Sequence, residues 1–408
     1  MLFHLLMAMA AVIVVGRLLA PLFRAVGQPP VIGEVIAGIV LGPSLLGRLS
    51  PDAFRYILPA DVAPFLGIVA QLGVILYMFL VGLELNPDVV RQRVHAAVTT
   101  SLASILLPFA LGWVLAVYLY PRFATSGVAF THFALFVGVA MSITAFPVLA
   151  RILTDRGMTR TELGALALSC AAVDDITAWC LLAFIVGVVQ ATAGGGVVLV
   201  ILMTLAFIAF MFTVVRPIAV RVARQVEDRD PPHATIAMVV VAILAAALAT
   251  EGIGVHAIFG AFLLGTVIPH DSRLARAIKG RFEDLVTILL LPAFFAFTGM
   301  RTQIDLVSGS EWLVVALIIG VATAGKFGGT LLGARVSGLS WRSAASLGIL
   351  MNTRGLMELI VLNVGLDLGV ISPKLYTMMV LMALATTMAT TPVLRLTMPA
   401  TNMPATTR

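Results

Sequence analysis

The chain has 408 residues, 60% hydrophobic and only 11% charged, with a mean hydropathy of +1.07. Soluble domains carry about a quarter charged residues, so the composition excludes an ordinary globular enzyme and points to a polytopic membrane protein. The formal charge of +6 comes without any basic cluster interleaved with aromatics, so no nucleic-acid partner is expected.

Thirteen apolar segments read as membrane spans, roughly 3–23, 31–47, 62–83, 95–120, 132–151, 162–190, 196–216, 233–250, 253–269, 284–300, 311–334, 343–365 and 374–394. The first is long enough to cross a bilayer, so it is read as a span rather than a cleavable signal. Several others fall short of the ~20 residues of a full span, which suits tilted or broken helices. The run Gly194-Gly-Gly196 reads as a flexible turn, and the connection from Arg216 to His233 is short. The tail after Leu396 is also short, so no soluble regulatory domain is expected. Cys170 and Cys180 share one apolar segment and form neither a disulfide framework nor a zinc spacing. No cofactor is expected.

Basic residues sort by loop. Alternate connections carry Arg17, Arg24, Arg91, Arg93, Arg151, Arg156, Arg160, Arg216, Arg221, Arg224, Arg229, Arg273, Arg276, Lys279 and Arg281, with Arg335, Arg342, Arg395 and Arg408 further on. The opposite side carries only Arg48, Arg55, Arg122, Arg301 and Lys374. The basic side is therefore read as cytoplasmic, with the N-terminus outside and the C-terminus inside.

Two segments are interrupted at depth. In Gly138-Val-Ala-Met-Ser-Ile-Thr-Ala-Phe-Pro-Val-Leu149, Pro147 deprives the preceding turn of a bond, and Ser142 and Thr144 compete for the freed backbone. In Leu347-Gly-Ile-Leu-Met-Asn-Thr-Arg-Gly-Leu-Met-Glu-Leu359, the polar residues Asn352, Thr353, Arg354 and Glu358 break an apolar run. Unwound backbone at this depth is tolerated where it is buried in protein or lines a cavity. The two segments are the fifth and the twelfth. Segments one to six and eight to thirteen then form two six-helix repeats of opposite orientation, joined by segment seven. Interrupted helices at matching places in inverted repeats point to an ion site.

Asp174 and Asp175 lie near the middle of an apolar helix, Leu163 to Val189. A carboxylate at bilayer depth faces a wet cavity or a partner charge. Neighbours on a helix point about 100° apart, so one acid can face a fixed cation while the other faces a solvated pocket. Lys326, among glycines in Ala322-Thr-Ala-Gly-Lys-Phe-Gly-Gly-Thr330, is the best partner, and the glycines allow close helix approach. A carboxylate with hydroxyls and freed carbonyls supplies the oxygen ligands a transported Na⁺ or K⁺ needs. A buried carboxylate beside a second one also binds a proton more readily, so cation and proton compete for one acid. Asp174 is either an ion contact or the ion-pair partner of Lys326. Lys326 is either a proton carrier or scaffold. Arg354 stays protonated, and its pairing with Glu358 one turn on reads first as structural glue. Glu34 is a gate or a structural residue, and His256 a weak pH-sensor candidate.

Taken together, these residues resemble the monovalent cation:proton antiporter family 2. The nearest patterns are the plant cation/proton exchangers and the bacterial Kef-type and Na⁺/H⁺ antiporters. The matching stretches are 30–46, Phe79-Leu-Val-Gly-Leu-Glu84, Thr144-Ala-Phe-Pro-Val-Leu-Ala-Arg151, Ala171-Ala-Val-Asp-Asp-Ile-Thr-Ala-Trp179, Gly260-Ala-Phe-Leu-Leu-Gly265 and Met351-Asn-Thr-Arg-Gly-Leu-Met-Glu-Leu359. The resemblance implies an all-α polytopic membrane protein with a sodium/proton-antiporter-like fold. It has about 13 transmembrane helices in two inverted six-helix repeats with two crossing discontinuous helices. It implies scaffold and dimerisation helices at 1–93 and 232–310, core helices at 94–190 and 311–396, a linker helix at 191–231 and a tail at 397–408. It further implies a homodimer in a bacterial plasma membrane, working as an elevator in pH homeostasis. Asp175 then matches the acid that holds the transported Na⁺ or K⁺ and the proton, Asp174 its neighbour, and Lys326 the core lysine. Ser142 and Thr144 join them at the ion site, and Asn352, Thr353, Arg354 and Glu358 support the discontinuous helix. Plant members usually carry Asn where Asp174 stands, which bears on stoichiometry. The alternatives are a cation channel and a non-transporting sensor or regulatory subunit. One acidic pair in an inverted repeat, rather than a filter loop in symmetric subunits, favours alternating access over a channel.

Overall fold

The computed structural model describes residues 2–26, 28–84, 94–159, 161–190, 196–227 and 230–397. Arg91, Arg93, Arg160, Arg229, the glycine turn through Gly195 and the tail from Met398 onward lie outside the described residues. Among the described residues the elements are helices, apart from one isolated bridge between Ala124 and Ile371.

The α-helices run in order as α1 (Leu2–Ala25), α2 (Pro30–Leu41), α3 (Leu46–Leu49), α4 (Pro51–Ile57), α5 (Ala63–Glu84) and α6 (Val94–Phe123). Next come α7 (Phe130–Ser142), α8 (Phe146–Asp155), α9 (Glu162–Gln190), α10 (Gly196–Phe210), α11 (Arg216–Gln225), α12 (His233–Ile253) and α13 (Ala257–Val267). The chain ends with α14 (Arg273–Leu285), α15 (Leu291–Arg301), α16 (Glu311–Val336), α17 (Trp341–Met351), α18 (Leu356–Asp367) and α19 (Pro373–Thr397). Wide π-helical turns, Met211–Val215 and Val286–Leu290, fuse α10 to α11 and α14 to α15.

Among the described residues, 11 helical stretches are long and apolar enough to cross a membrane, or 12 with the bent pair α17–α18. The remaining expected segment, 253–269, is the 11-residue α13. At 1.5 Å per residue it is about 17 Å long, little more than half of a ~30 Å hydrocarbon core. Its length is set at both ends. Gly254 closes α12 in the left-handed region at φ 91°, and Ile268, held extended before Pro269, stops α13.

The chain divides into two compact units. The first comprises Met1–Ile13, Tyr56–Asn86 and Ala183–Phe297. Here α5 and α13 pack backbone to backbone. A Cβ on Gly82 would collide with the Phe262 carbonyl, and one on Gly265 with the Phe79 carbonyl, so only glycine permits this approach.

The second unit comprises Val14–Arg55, Pro87–Leu182 and Thr298–Arg408. In it α16 presents Gly325, Gly329 and Gly333 at four-residue spacing to α6. A Cβ on Gly325 would stand 2.7 Å from Pro108, and one on Gly333 2.8 Å from Ala103. This groove draws α6 against the helix that carries Lys326. On the other flank of α6, Gly112 meets Gly138 of α7.

Both interruptions are real breaks. α7 ends at Ser142, Ile143 and Ala145 take extended backbone angles, and α8 begins at Phe146 with Pro147 in its first turn. Proline there loses nothing, because the first N–H groups of a helix have no intrahelical partner. α17 and α18 are bent by 48° across Asn352–Gly355. Gly355 is required for space: a Cβ there would stand 2.6 Å from Val148 Cγ2. The two extended stretches meet, and the Ala145 N–H donates to the Thr353 carbonyl at 3.0 Å.

Candidate functional site

A broken helix leaves carbonyls with no partner and a negative partial charge at the C-terminal end of its first half. The end of α7 is met by two cations. Arg354 donates from Nη1 to the Ala140 carbonyl at 2.8 Å and from Nη2 to the Met141 carbonyl at 2.6 Å. Lys326 Nζ donates to the Ser142 carbonyl at 2.5 Å. At the end of α17, the Met351 carbonyl lies 2.9 Å from Thr144 Oγ1. Thr387 of α19 holds the second break, accepting from the Arg354 N–H at 2.9 Å and lying 2.7 Å from the Arg354 carbonyl.

Beside the crossing, Lys326 Nζ lies 2.7 Å from Asp174 Oδ2, both side chains fully buried. The same ammonium donates to the Ser104 carbonyl at 3.1 Å. An ammonium has three N–H bonds, and Asp174 and the two carbonyls supply three acceptors. Asp174 accepts further from Thr144 Oγ1 at 2.9 Å, from Ser104 Oγ and from Ser101 Oγ. Ser101 and Ser104 were not expected from the sequence.

Asp175 is 1% exposed, and neither of its carboxylate oxygens completes a hydrogen bond of ordinary geometry. The backbone N–H of Phe146, at the positive end of α8, is the donor that faces it. A buried carboxylate with its lone pairs open is strongly disfavoured unless something else binds there. The paired acids therefore differ: Asp174 is ringed by an ammonium and three hydroxyls, and Asp175 faces only a backbone N–H.

The other expected residues fall in distinct places. Arg354 Nη1 pairs with Glu358 Oε2 at 2.7 Å, both fully buried. Thr353 Oγ1 donates to the Leu350 carbonyl at 2.6 Å, and Asn352 buries an amide oxygen without a partner. The Ser142 hydroxyl turns to the Gly138 and Ile105 carbonyls, at 2.7 and 3.1 Å, so it reaches the site through its own carbonyl. Glu34 lies apart, against Gly16 of α1, with Arg17 and Arg24 as the cations acting on it. His256 caps the start of α13. Among the described residues, no three His, Cys, Asp or Glu side chains gather as a resident metal centre would need.

Known proteins are similar to this chain over most of its length. The model of a family described as sodium/hydrogen exchanger, transmembrane, matches residues 10–397. The chain is 45% identical to the Na⁺/H⁺ antiporter NhaS4 of Synechocystis, over 95% of this chain and 96% of that protein. It is 41% identical to cation/H⁺ antiporter 18 of Arabidopsis thaliana, over 94% of this chain and 47% of that one. It is 35% identical to K⁺/H⁺ antiporter 1 of Saccharomyces cerevisiae, over 92% and 44%. The chain thus spans about half the length of these plant and yeast relatives. The structure of the sodium proton antiporter MjNhaP1 from Methanocaldococcus jannaschii superposes with a TM-score of 0.71 at 14% identity, covering 96% of this chain and 98% of that one. That likeness establishes the fold. The chain is a multi-pass membrane protein of the sodium/hydrogen exchanger family.

Proposed function

We propose that this chain exchanges a monovalent cation, Na⁺ or K⁺, for H⁺ across a membrane, with both competing for Asp175. The carrying observation is that Asp175 is buried beside the crossing of two broken helices with no side chain bonded to either oxygen. One carboxylate neutralises either a proton or a cation, and the loss of one on arrival of the other couples the two flows. Thr144 and carbonyls of the crossing complete the cation's ligands, as half-helix ends do in transporters. Ser142 contributes through its backbone. Lys326 and Asp174 hold the crossing's negative end and its neighbouring acid as one unit. Arg354, Glu358, Asn352 and Thr353 keep the second break open.

The core stretches 94–190 and 311–396 carry the site and move as an elevator against the scaffold stretches 1–93 and 232–310. Segment 191–231 links the halves, and two copies assemble through the scaffold. Glu34 is the gate candidate at the edge of this path. With the basic loops on the cytoplasmic side, the C-terminus lies inside and the N-terminus outside, in a bacterial plasma membrane.

The test is purified protein in liposomes with an imposed pH gradient, followed by an interior pH dye as Na⁺, K⁺, Rb⁺ or Li⁺ is added. Dequenching on cation addition is expected, and Asp175→Asn abolishes it while the protein stays folded. Exchange at the natural rate in Asp175→Asn, or ion flow that ignores the pH gradient, refutes the proposal.

A further inference from the structure

Ser101 and Ser104 stand three residues apart on one face of α6, both fully buried. Their hydroxyls divide the oxygens of Asp174 unequally. Lys326 Nζ and Thr144 Oγ1 both bind Oδ2, at 2.7 and 2.9 Å. Ser101 Oγ donates to Oδ1. Ser104 Oγ lies 3.2 Å from Oδ1 and 3.0 Å from Oδ2, with the Ser101 carbonyl as a third acceptor at 2.9 Å. A carboxylate offers about four lone-pair sites; Lys326 and Ser101 donate to Asp174, while Thr144 and Ser104 each face it with a single proton that other acceptors also face. Oδ1 is covered by the serines alone.

We infer that Ser101 and Ser104 are positioning residues that occupy Asp174 Oδ1 and exclude it from the shell of the transported cation, so that Asp175 is the one acid the ion meets. The inference rests on the antiport reading above. A cation that met both acids would be held by two negative oxygens and released slowly. A cation that meets one is bound and released within each cycle. The serines achieve this with hydroxyl protons, which cover an anionic oxygen without adding charge. The glycine groove between α6 and α16 brings Lys326 of α16 within reach of the Ser104 carbonyl, beside the acid that the serines bind.

The test measures Na⁺ and K⁺ binding to the purified protein by titration calorimetry, with exchange rates in liposomes. In Ser101→Ala/Ser104→Ala, the cation binds about tenfold tighter, the size of one hydrogen bond to a charged group, and turnover falls. Ser101→Thr/Ser104→Thr keeps the hydroxyls and returns both quantities to their natural values. The sharpest readout is a gain. Asp175→Asn removes cation binding from the natural chain, whereas Ser101→Ala/Ser104→Ala/Asp175→Asn regains it through Oδ1. Should the double variant fail to fold, Ser101→Ala alone gives a smaller tightening in the same direction. Unchanged or weaker binding in folded alanine variants, or no regained binding in the triple variant, overturns the inference and leaves antiport standing. Absence of exchange in the natural chain, or binding retained in Asp175→Asn, overturns both, and is read before any serine is altered.

Discussion

Replacing Lys326 by methionine isolates what the buried ion pair contributes to stability. The methionine stem fills nearly the same volume, so the packing of α16 against α6 is kept and the ammonium alone is lost. Asp174 is then a buried carboxylate held by three hydroxyls, from Ser101, Ser104 and Thr144. The Ser104 and Ser142 carbonyls lose the Lys326 donor. Removing one partner of a buried pair destabilises by about 3–5 kcal/mol. The three hydroxyls hold the value near the low end, at about 3 kcal/mol. At about 2 cal/mol/K of unfolding entropy per residue, that corresponds to a fall in melting temperature of about 3–4 °C for a chain of 408 residues. In Lys326→Met/Asp174→Asn no charge remains stranded, and about half or more of the loss is recovered. The assay is thermal unfolding of the detergent-purified protein, followed by tryptophan fluorescence and by loss of the monodisperse chromatographic peak. A single variant that melts with the natural protein, or a double variant no more stable than the single, would show that the ion pair is not the source of the stability.

Two further predictions follow from the packing and from the second buried pair. Gly329→Val places a side chain where a Cβ already collides with the Ala103 carbonyl, so α6 and α16 must separate; a loss of about 1–3 kcal/mol is expected in the same melt, and melting unchanged from the natural protein would refute the close approach. Arg354→Met strands Glu358 and the Ala140 and Met141 carbonyls together, at about 3–5 kcal/mol, whereas Glu358→Gln keeps an acceptor for the guanidinium and loses about 1–2 kcal/mol. Equal losses in the two variants would contradict the assignment of Arg354 as the group that holds the end of α7.

Much of the fold is legible in the sequence because the bilayer restricts what a chain can do. Long apolar runs must be helices, and Pro147 and the polar run Asn352–Gly355 mark where two of them open. Less legible are features that depend on the distance between elements. The shortness of α13 follows from caps at Gly254 and Ile268, in a stretch whose hydropathy alone reads as a span. The π-helical turns at Met211–Val215 and Val286–Leu290 leave no mark that separates them from ordinary helix. That the two acids of the pair differ is legible from helix geometry, but the spacing alone does not say which of them meets Lys326. Ser101 and Ser104 escape notice for a similar reason. Serine in an apolar helix usually bonds back to its own turn, as Ser169 does to the Ala165 carbonyl. Only the packing of α9 beside α6, about 70 residues on, brings an acid to two such serines.

The bond from the Ala145 N–H to the Thr353 carbonyl belongs to the main chain, and it ties the first inverted half to the second. Its two partners are main-chain atoms, so no side chain at either position is needed to make it. A hydroxyl can become an amide, or an acid its neutral twin, and the knot where the two halves meet stays tied. A lineage can therefore retune which ion it prefers, or how many charges each cycle moves, on an unaltered frame.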